Sequence, residues 1–266
     1  MRILVPIKQV AVLEREVVLD GVGSIPPGAL RWRTNEWDLC SLQAAMRLRE
    51  SAGDGEVVII SVGGPPAQEA LVAGLARGAD RAMRVWDPAL ADANGLPDSD
   101  PLLLAAVLAA VAARERPDVI LCGVQSADAA NAATGVALAG LLDLAHVAVV
   151  VGIERDDERL IVRRELDGGR VEVLRVGMPA LLTVQSGIEE ACSPTLRELK
   201  RARAQPIEEL SLSQLGLDAE DVGARRGSRT VRLLERERTR AATMIEGPSA
   251  AVARRIAALV AEAMGA

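Results

Sequence analysis

Over roughly the first half of the chain, apolar positions form short continuous runs of strand length, separated by segments in which they recur every three or four residues. The runs at 2–7 and 56–62 read as buried strands, 81–85 as a third, short strand and 118–122 as a fourth. Between them, 35–51 places Leu39, Leu42 and Met46 on one helical face, with Thr34 or Asn35 as N-cap and Gly53 past the end. A second helix starts at Ala67, after Gly63-Gly64-Pro65-Pro66, and stops at Gly78. Asp100-Pro101 supplies an N-cap and a first-turn proline to an apolar helix reaching about residue 114. A loop of small residues, 123–130, leads into a helix over 131–142. Strands alternating with helices at this spacing predict an α/β fold with a doubly wound, mainly parallel sheet.

The pattern then changes. Runs at 148–153, 159–166 and 170–176 follow one another closely, and Asp167-Gly168-Gly169 joins the last two. An Asp-Gly turn between alternating apolar runs predicts an antiparallel hairpin. A further buried run follows at 180–184, so the second half of the core is antiparallel or mixed. From 186 the chain turns polar, with a short helix over 195–203. Residues 204–247 hold few apolar runs between Arg-rich stretches, and 249–264 closes the chain as an amphipathic helix with Val252, Ile256, Leu259, Val260 and Met264 on one face. The expected division is an α/β domain over 1–203 and a C-terminal arm and helix over 204–266. An arm of this composition buries little on its own and reads as one that wraps another subunit.

Composition narrows the chemistry. Half of the 266 residues are apolar, enough for a substantial core, yet there are three Trp and no Tyr or Phe. Stacked platforms of Tyr or Phe for a flavin or a nucleobase are therefore excluded on this chain. The single histidine, His146, reads as structural, and a Ser-His-Asp mechanism would rest on it alone. Cys40, Cys122 and Cys192 lie far apart without CxxC spacing. That argues against a zinc site or a disulfide framework, and for reduced cysteines in a cytoplasmic protein. A net charge of −6 makes nucleic acid a poor default partner. The opening apolar run is strand-sized and the run at 102–113 is too short to span a bilayer.

In open parallel sheets, ligands sit beyond the carboxyl ends of the strands at the topological switch point. The loops leaving those ends are 6–12, 62–67 and 123–134, all poor in bulky side chains. Small residues let backbone amides approach a phosphate, and a helix starting near Asn131 offers its positive end. Asn131 and Thr134 add an amide and a hydroxyl, and Asp128 is placed to accept from a ribose hydroxyl. The same residues also serve as ordinary helix caps. Neither GxxxxGK[ST] nor GxGxxG follows a strand. Ser61-Val62-Gly63-Gly64-Pro65 resembles the loop of ATP pyrophosphatases, but Pro65-Pro66 stands where an Asp-Ser would be needed for ATP cleavage.

Several stretches, in order, resemble one family. Arg2-Ile3-Leu4-Val5-Pro6-Ile7-Lys8-Gln9-Val10 is similar to the opening of electron transfer flavoprotein β subunits. So are Asn35-Glu36-Trp37-Asp38 and the later Met46-Arg47-Leu48-Arg49-Glu50, and Ala79-Asp80-Arg81-Ala82 after a glycine. The stretch from Pro117 through Gly123-Val124-Gln125-Ser126-Ala127-Asp128, with Thr134-Gly135, resembles that family's nucleotide loop. Arg164-Glu165-Leu166-Asp167-Gly168-Gly169 resembles its hairpin, and Pro194-Thr195-Leu196 with Pro206-Ile207 its recognition-loop region.

The resemblance implies a Rossmann-like fold of the adenine nucleotide α-hydrolase type and an electron carrier rather than an enzyme. It implies pairing with an α subunit that holds most of one FAD, electrons arriving from an acyl-CoA or related flavin dehydrogenase, and delivery to a quinone oxidoreductase or other acceptor. It implies a structural AMP, replaced by a second FAD in electron-bifurcating members. By position, the nucleotide contacts fall on Pro6, Asn35, Glu36, Trp37, Asp38, Val62, Gly123, Gln125, Ser126, Asp128, Asn131 and Thr134. Leu13 and Trp37 fall near the flavin ring, Glu165 on the residue that positions the flavin domain, and Leu196 on the anchor for partner dehydrogenases. The alternative is a nucleotide-cleaving enzyme of the adenine nucleotide α-hydrolase fold.

The chain departs from the family pattern in places. Asp128-Ala129-Ala130 replaces an acidic run, Ala132-Ala133 an Asn-Gln pair, and Asn35-Glu36-Trp37-Asp38 an NP(F/Y)D. The recognition loop lacks its Arg-Tyr pair, and Gly64 is an additional residue.

Overall fold

The computed structural model describes residues 1–13, 19–20, 25–92, 96–189, 193–228, 231, 233–234 and 242–265. The strands are β1 (Arg2–Pro6), β2 (Gln9–Leu13), β3 (Leu30–Thr34), β4 (Glu56–Val62), β5 (Arg81–Val85), β6 (Val119–Gly123), β7 (Ala145–Asp156), β8 (Arg159–Leu166), β9 (Arg170–Gly177), β10 (Ala180–Val184) and β11 (Ile207–Leu210). The helices are α1 (Glu36–Ala52), α2 (Gln68–Ala76), α3 (Pro101–Glu115), α4 (Thr134–Leu142), α5 (Leu196–Arg203), α6 (Ala219–Ala224) and α7 (Ser249–Met264).

Among the described residues, nine strands form one sheet in the order β11-β5-β4-β1-β6-β10-β7-β8-β9. The pairs from β11 to β7 are parallel, and β7-β8 and β8-β9 are antiparallel. The fold is the expected Rossmann-like α/β arrangement. The central strands are largely apolar because both faces are covered. Ile3, Val5, Val57 and Ile59 pack with Leu42 and Met46 of α1 and Leu71 and Leu75 of α2. Their neighbours Leu4, Val58 and Ile60 pack with Leu103, Val107 and Val111 of α3 and Leu138 of α4. Strand periodicity of two divides one run between two cores.

The local signals hold where they carry a mechanism. Asp100 Oδ1 accepts from the Leu102 and Leu103 amides at 3.0 Å each, capping α3. Gly53 closes α1 with φ 74°. At the β8-β9 turn, Gly168 (φ 75°) and Gly169 (φ 72°) take conformations that side chains disfavour, and the register pairs Leu166 with Arg170.

Four expectations change. The helix expected from Asn131 begins at Thr134, because Ala130 (φ 49°) and Ala132 (φ 51°) turn the preceding backbone into the left-handed region. The 6–12 loop is largely β2, paired antiparallel with β3 in a separate two-stranded ribbon. The run at 180–184 returns as β10 between β6 and β7, parallel to both, so the antiparallel part is confined to β7-β8-β9. The division does not fall at 203/204. β11 pairs with β5, Leu210, Leu212 and Val222 are buried, and the chain divides into compact units 1–233 and 234–266. Ile207–Leu210 is too short to signal a strand by itself and gains its hydrogen bonds from the exposed edge of β5.

In the second unit, α7 carries Ile256, Leu259, Val260 and Met264, exposed by 49%, 38%, 51% and 78%. Among the described residues, no helix is long and apolar enough to cross a membrane.

Candidate functional site

β1 lies between β4 and β6, so the chain leaves it to one side through α1 and later returns to the other. The crevice expected at such a switch point is present. Beyond the carboxyl ends of β1, β4 and β6 lies a cleft with about 770 Å³ of empty space, its open mouth included.

Of the residues expected there, Pro6, Asn35, Asp38, Val62, Gly123, Gln125, Ser126, Asn131 and Thr134 line the cleft. Ile60, Leu104 and Leu108 give it an apolar side, and residues 132–135 open α4 onto it. The first-turn amides of a helix have no intrahelical acceptor and face outward along its axis. Here no side chain caps them, since the N-cap is Ala133.

Asn35 is 1% exposed and stands at the N-cap of α1, but its side chain does not cap the helix. Its Nδ2 donates to the Gln125 carbonyl at 2.8 Å and its Oδ1 accepts from the Ala127 amide at 3.2 Å. The amide side chain thus shapes the 123–134 loop. Asp38, one turn on, accepts from the Lys8 amide at 2.8 Å. Gly123 lies against it, where a Cβ would overlap Asp38 Oδ1 and stand 2.8 Å from Trp37 Cβ. Burial pushes the Asp38 carboxyl up to about 7, against the lowering hydrogen bonds of the Lys8 and Gly123 amides and of Asn35. Cys122, on the cleft floor, is held far above its ordinary value by burial and by Asp38, so it stays a thiol.

Three expected residues sit elsewhere. Glu36 is exposed on the first turn of α1 and Trp37 lies behind Gly123, its Nε1 donating to Gln185 Oε1 at 3.1 Å. Asp128 lies beside the cleft rather than in its lining, because Lys8 Nζ holds its Oδ1 at 2.7 Å. Burial would raise the Asp128 carboxyl, but the Lys8 charge and hydrogen bonds from Lys8, Ser126 and the Ala129 amide hold it below the ordinary range. Asn131 does not cap α4; its Nδ2 donates to the Ser99 carbonyl at 2.9 Å.

Sequence reasoning missed Lys8 and the loop carrying Asp98 and Ser99. Lys8 Nζ also donates to Ser99 Oγ at 3.0 Å and Ser126 Oγ at 3.3 Å. One signal was available: only Lys8 and Lys200 are lysines among 31 basic residues. Nothing local marks Ser99.

Leu13 ends β2 opposite Leu30, but its side chain lies outside the described residues. Glu165 is exposed on β8. Its neighbours Arg163 and Arg164 pair with Glu154 at 2.8 Å and Glu172 at 2.6 Å, and Glu165 has no ion pair among the described residues. Leu196 opens α5 and is 87% exposed, so it packs in no core; Thr195 before it forms a capping box with Glu198. His146 lies inside β7 and outside the cleft lining, its Nε2 buried without a hydrogen-bond partner. Burial and the nearby Arg164 lower its basicity, so it is neutral. Cys40 is a buried free thiol, and Cys192 lies outside the described residues.

Comparison with known proteins agrees with this geometry. The sequence profile described as "Electron transfer flavoprotein domain" matches residues 28–215. The chain is 41% identical to the electron transfer flavoprotein subunit beta of Methylophilus methylotrophus over 271 residues, covering 100% of both chains. It is 32% identical to that of Bradyrhizobium diazoefficiens over 219 residues and 33% identical to that of Bos taurus over 220 residues. Each of these two alignments covers 82% of this chain and 84% of the relative. A cleft at the switch point of a Rossmann-like sheet and full-length likeness to these subunits lead to one assignment: the chain belongs to the electron transfer flavoprotein family, among its β subunits.

Proposed function

We propose that the chain is the β half of a heterodimeric electron carrier and holds an AMP in the switch-point cleft. The observation that carries this reading is the donor set. The uncapped first turn of α4 offers backbone amides and Thr134 a hydroxyl, and Lys8, whose ammonium donates to Asp128, Ser99 and Ser126, adds positive charge beside them. That set suits a phosphate, while Ile60, Leu104 and Leu108 offer an apolar side for a base. Pro6, Asn35, Asp38, Val62, Gly123, Gln125, Ser126, Asn131 and Thr134 are the residues that would hold the nucleotide. Asp128 acts on it through Lys8.

FAD, held mainly by the α subunit, supplies reversible uptake and release of electrons when bound. Trp37 and Leu13 are the residues of this chain assigned to its vicinity, and Glu165 to positioning the domain that carries it. Leu196, exposed at the start of a capped helix, is an anchor for a flavin dehydrogenase acting on acyl-CoA or a related substrate; a quinone oxidoreductase or another acceptor takes the electrons onward. The apolar stripe of α7 has the character of a face that docks on the α subunit. Separated, reduced cysteines and the net acidic charge fit a cytoplasmic protein.

A nucleotide-cleaving role finds little support in the cleft. Its buried carboxylate, Asp38, is engaged by the Lys8 and Gly123 amides, and His146 lies elsewhere.

The test is co-production with an α-type subunit, a flavin spectrum of the purified pair, and chromatography of the nucleotides released on denaturation. Equimolar FAD and AMP are expected. Two FAD without AMP would place a second flavin in the cleft, and a pair without flavin absorbance would overturn the reading.

A further inference from the structure

The cleft wall includes a short loop whose middle residue, Ser99, is fastened from two sides. On the cleft side, Ser99 Oγ accepts from the Lys8 ammonium and its carbonyl accepts from Asn131 Nδ2. On the far side, the chain just past α6 grips both neighbours of Ser99. Arg226 Nε donates to Asp98 Oδ2 at 2.7 Å, and its Nη2 to the carbonyls of Ala89 at 2.7 Å and Ala91 at 3.2 Å. Asp100 Oδ2 accepts from the Gly227 amide at 3.1 Å and from the Ser228 amide and hydroxyl at 2.8 Å each.

These contacts form a built joint. Asp100 is 3% exposed. Burial alone would raise its carboxyl, but the hydrogen bonds from the Leu103 amide, the Ser228 hydroxyl and the Gly227 and Ser228 amides hold it below the ordinary range. Asp98 Oδ1 accepts from the Asp100 amide at 2.8 Å, closing the loop on itself. Gly227 approaches so closely that a Cβ there would stand 2.9 Å from Leu102 Cδ1. The guanidinium serves a carboxylate and two carbonyls at once, which its planar fork of donors allows and a lysine ammonium matches poorly.

We propose that Arg226 is a positioning residue for the nucleotide cleft. It fixes the loop on which Ser99 receives Lys8 and Asn131, so nucleotide retention depends on residues 226–228, the segment that leads toward the second unit. By linkage, a bound nucleotide steadies that segment in return. This rests on the reading of the cleft as a nucleotide site.

The experiment uses the full chain paired with its α subunit and stripped of nucleotide, with AMP titrated calorimetrically and unfolding followed with and without AMP. Wild type binds AMP. Arg226→Met is expected to bind roughly tenfold or more weakly, as for loss of a charge-assisted hydrogen bond. Its AMP-induced rise in unfolding temperature shrinks accordingly, while flavin content is unchanged. Arg226→Lys falls between, and Arg225→Met, at the exposed neighbour, binds as wild type. Where Arg226→Met yields no folded pair, Ser228→Ala gives the same effect at roughly threefold, as for a single neutral hydrogen bond. A variant that folds less stably without AMP yet binds AMP with wild-type affinity overturns the proposal and leaves Arg226 a purely structural residue. A wild-type pair that binds no AMP removes the nucleotide reading itself, and the proposal with it.

Discussion

The ammonium of Lys8 lies 2.7 Å from the carboxylate of Asp128, two residues 120 positions apart that meet across the mouth of the cleft. Their side chains are 22% and 20% exposed, so the pair is better shielded than a surface ion pair. The contact joins the loop after β1 to the loop after β6, and through Ser99 to the loop before α3. If a phosphate binds here, Lys8→Met removes its cation and leaves Asp128 as a facing negative charge. Retained AMP is expected to fall about tenfold to a hundredfold in affinity. Chromatography of the released nucleotide checks this, and full AMP content in the variant would remove Lys8 from the site.

Gly123 ends β6 against Asp38 and Trp37, with no room for a methyl group. Gly123→Ala forces either the carboxylate away from the Lys8 amide or the start of α1 outward. The expected loss is about 1–3 kcal/mol, typical of overpacking, accompanied by loss of nucleotide. Denaturant unfolding measures the first and nucleotide analysis the second; a variant as stable as wild type would show that the loop yields freely.

Asp38 makes stability depend on pH in an unusual direction. Its folded carboxyl is raised to about 7 from an ordinary 3.8. Between those values the folded chain binds a proton that the unfolded chain has released, so this contribution falls as pH rises through the window. Asp38→Asn removes the titration. The stability difference, wild type minus variant, should therefore decrease steadily from about pH 4 to about pH 7. Denaturation curves across that range decide it, and a difference that does not change with pH would contradict the assignment.

At the opposite end of the sheet, Arg81 joins Glu56 at 2.6 Å and Glu115, whose side chain is 7% exposed, also at 2.6 Å. Arg81→Met leaves the Glu115 carboxylate with the longer ion pair to Arg114 at 3.8 Å. A loss of about 2–3 kcal/mol at neutral pH is expected, below the full figure for a buried pair because the guanidinium is partly exposed. Arg81 is also the main cause of the lowered Glu56 carboxyl. A lowered acid stabilises the fold above its unfolded value and loses that contribution as pH falls. The penalty of the variant should therefore shrink in acid, which unfolding measurements at neutral and acid pH would show.

Leu196 is 87% exposed, so Leu196→Ala should move the unfolding free energy by no more than about 0.5 kcal/mol. Reduction of the flavin by the partner dehydrogenase should slow roughly tenfold, as for truncation of an interface anchor. Stopped-flow kinetics across partner concentrations reads this directly, and unchanged rates would remove Leu196 from the docking surface.

The Rossmann-like core was legible because it is written in local periods. Runs such as 56–62 and 81–85 match β4 and β5 residue for residue, because buried apolar residues (Val57 to Ile60, and Ala82, Met83 and Val85) dominate strands covered on both faces. Asp100-Pro101 and Asp167-Gly168-Gly169 mark a helix start and a turn because few residue types satisfy those backbone positions. Much of the cleft followed, since parallel strands must end at a common edge and Pro6, Val62 and Gly123 stand at three of those ends.

The sequence by itself determined most of the strands and helices, the hairpin and the edge at which the cleft opens, because each depends on residues close together in the chain. Tertiary structure alone decided the rest. Asn131 and Asp128, eligible as caps, turned to Ser99 and Lys8 once distant loops came within reach. Ile207–Leu210 became a strand because β5 had an open edge, and residues 226–228 came to back the cleft wall because they meet Asp98 and Asp100 behind it. A polar side chain or an unpaired strand carries little information about its partner. The partner is whichever group folding brings within hydrogen-bonding distance, because buried polar groups must be satisfied.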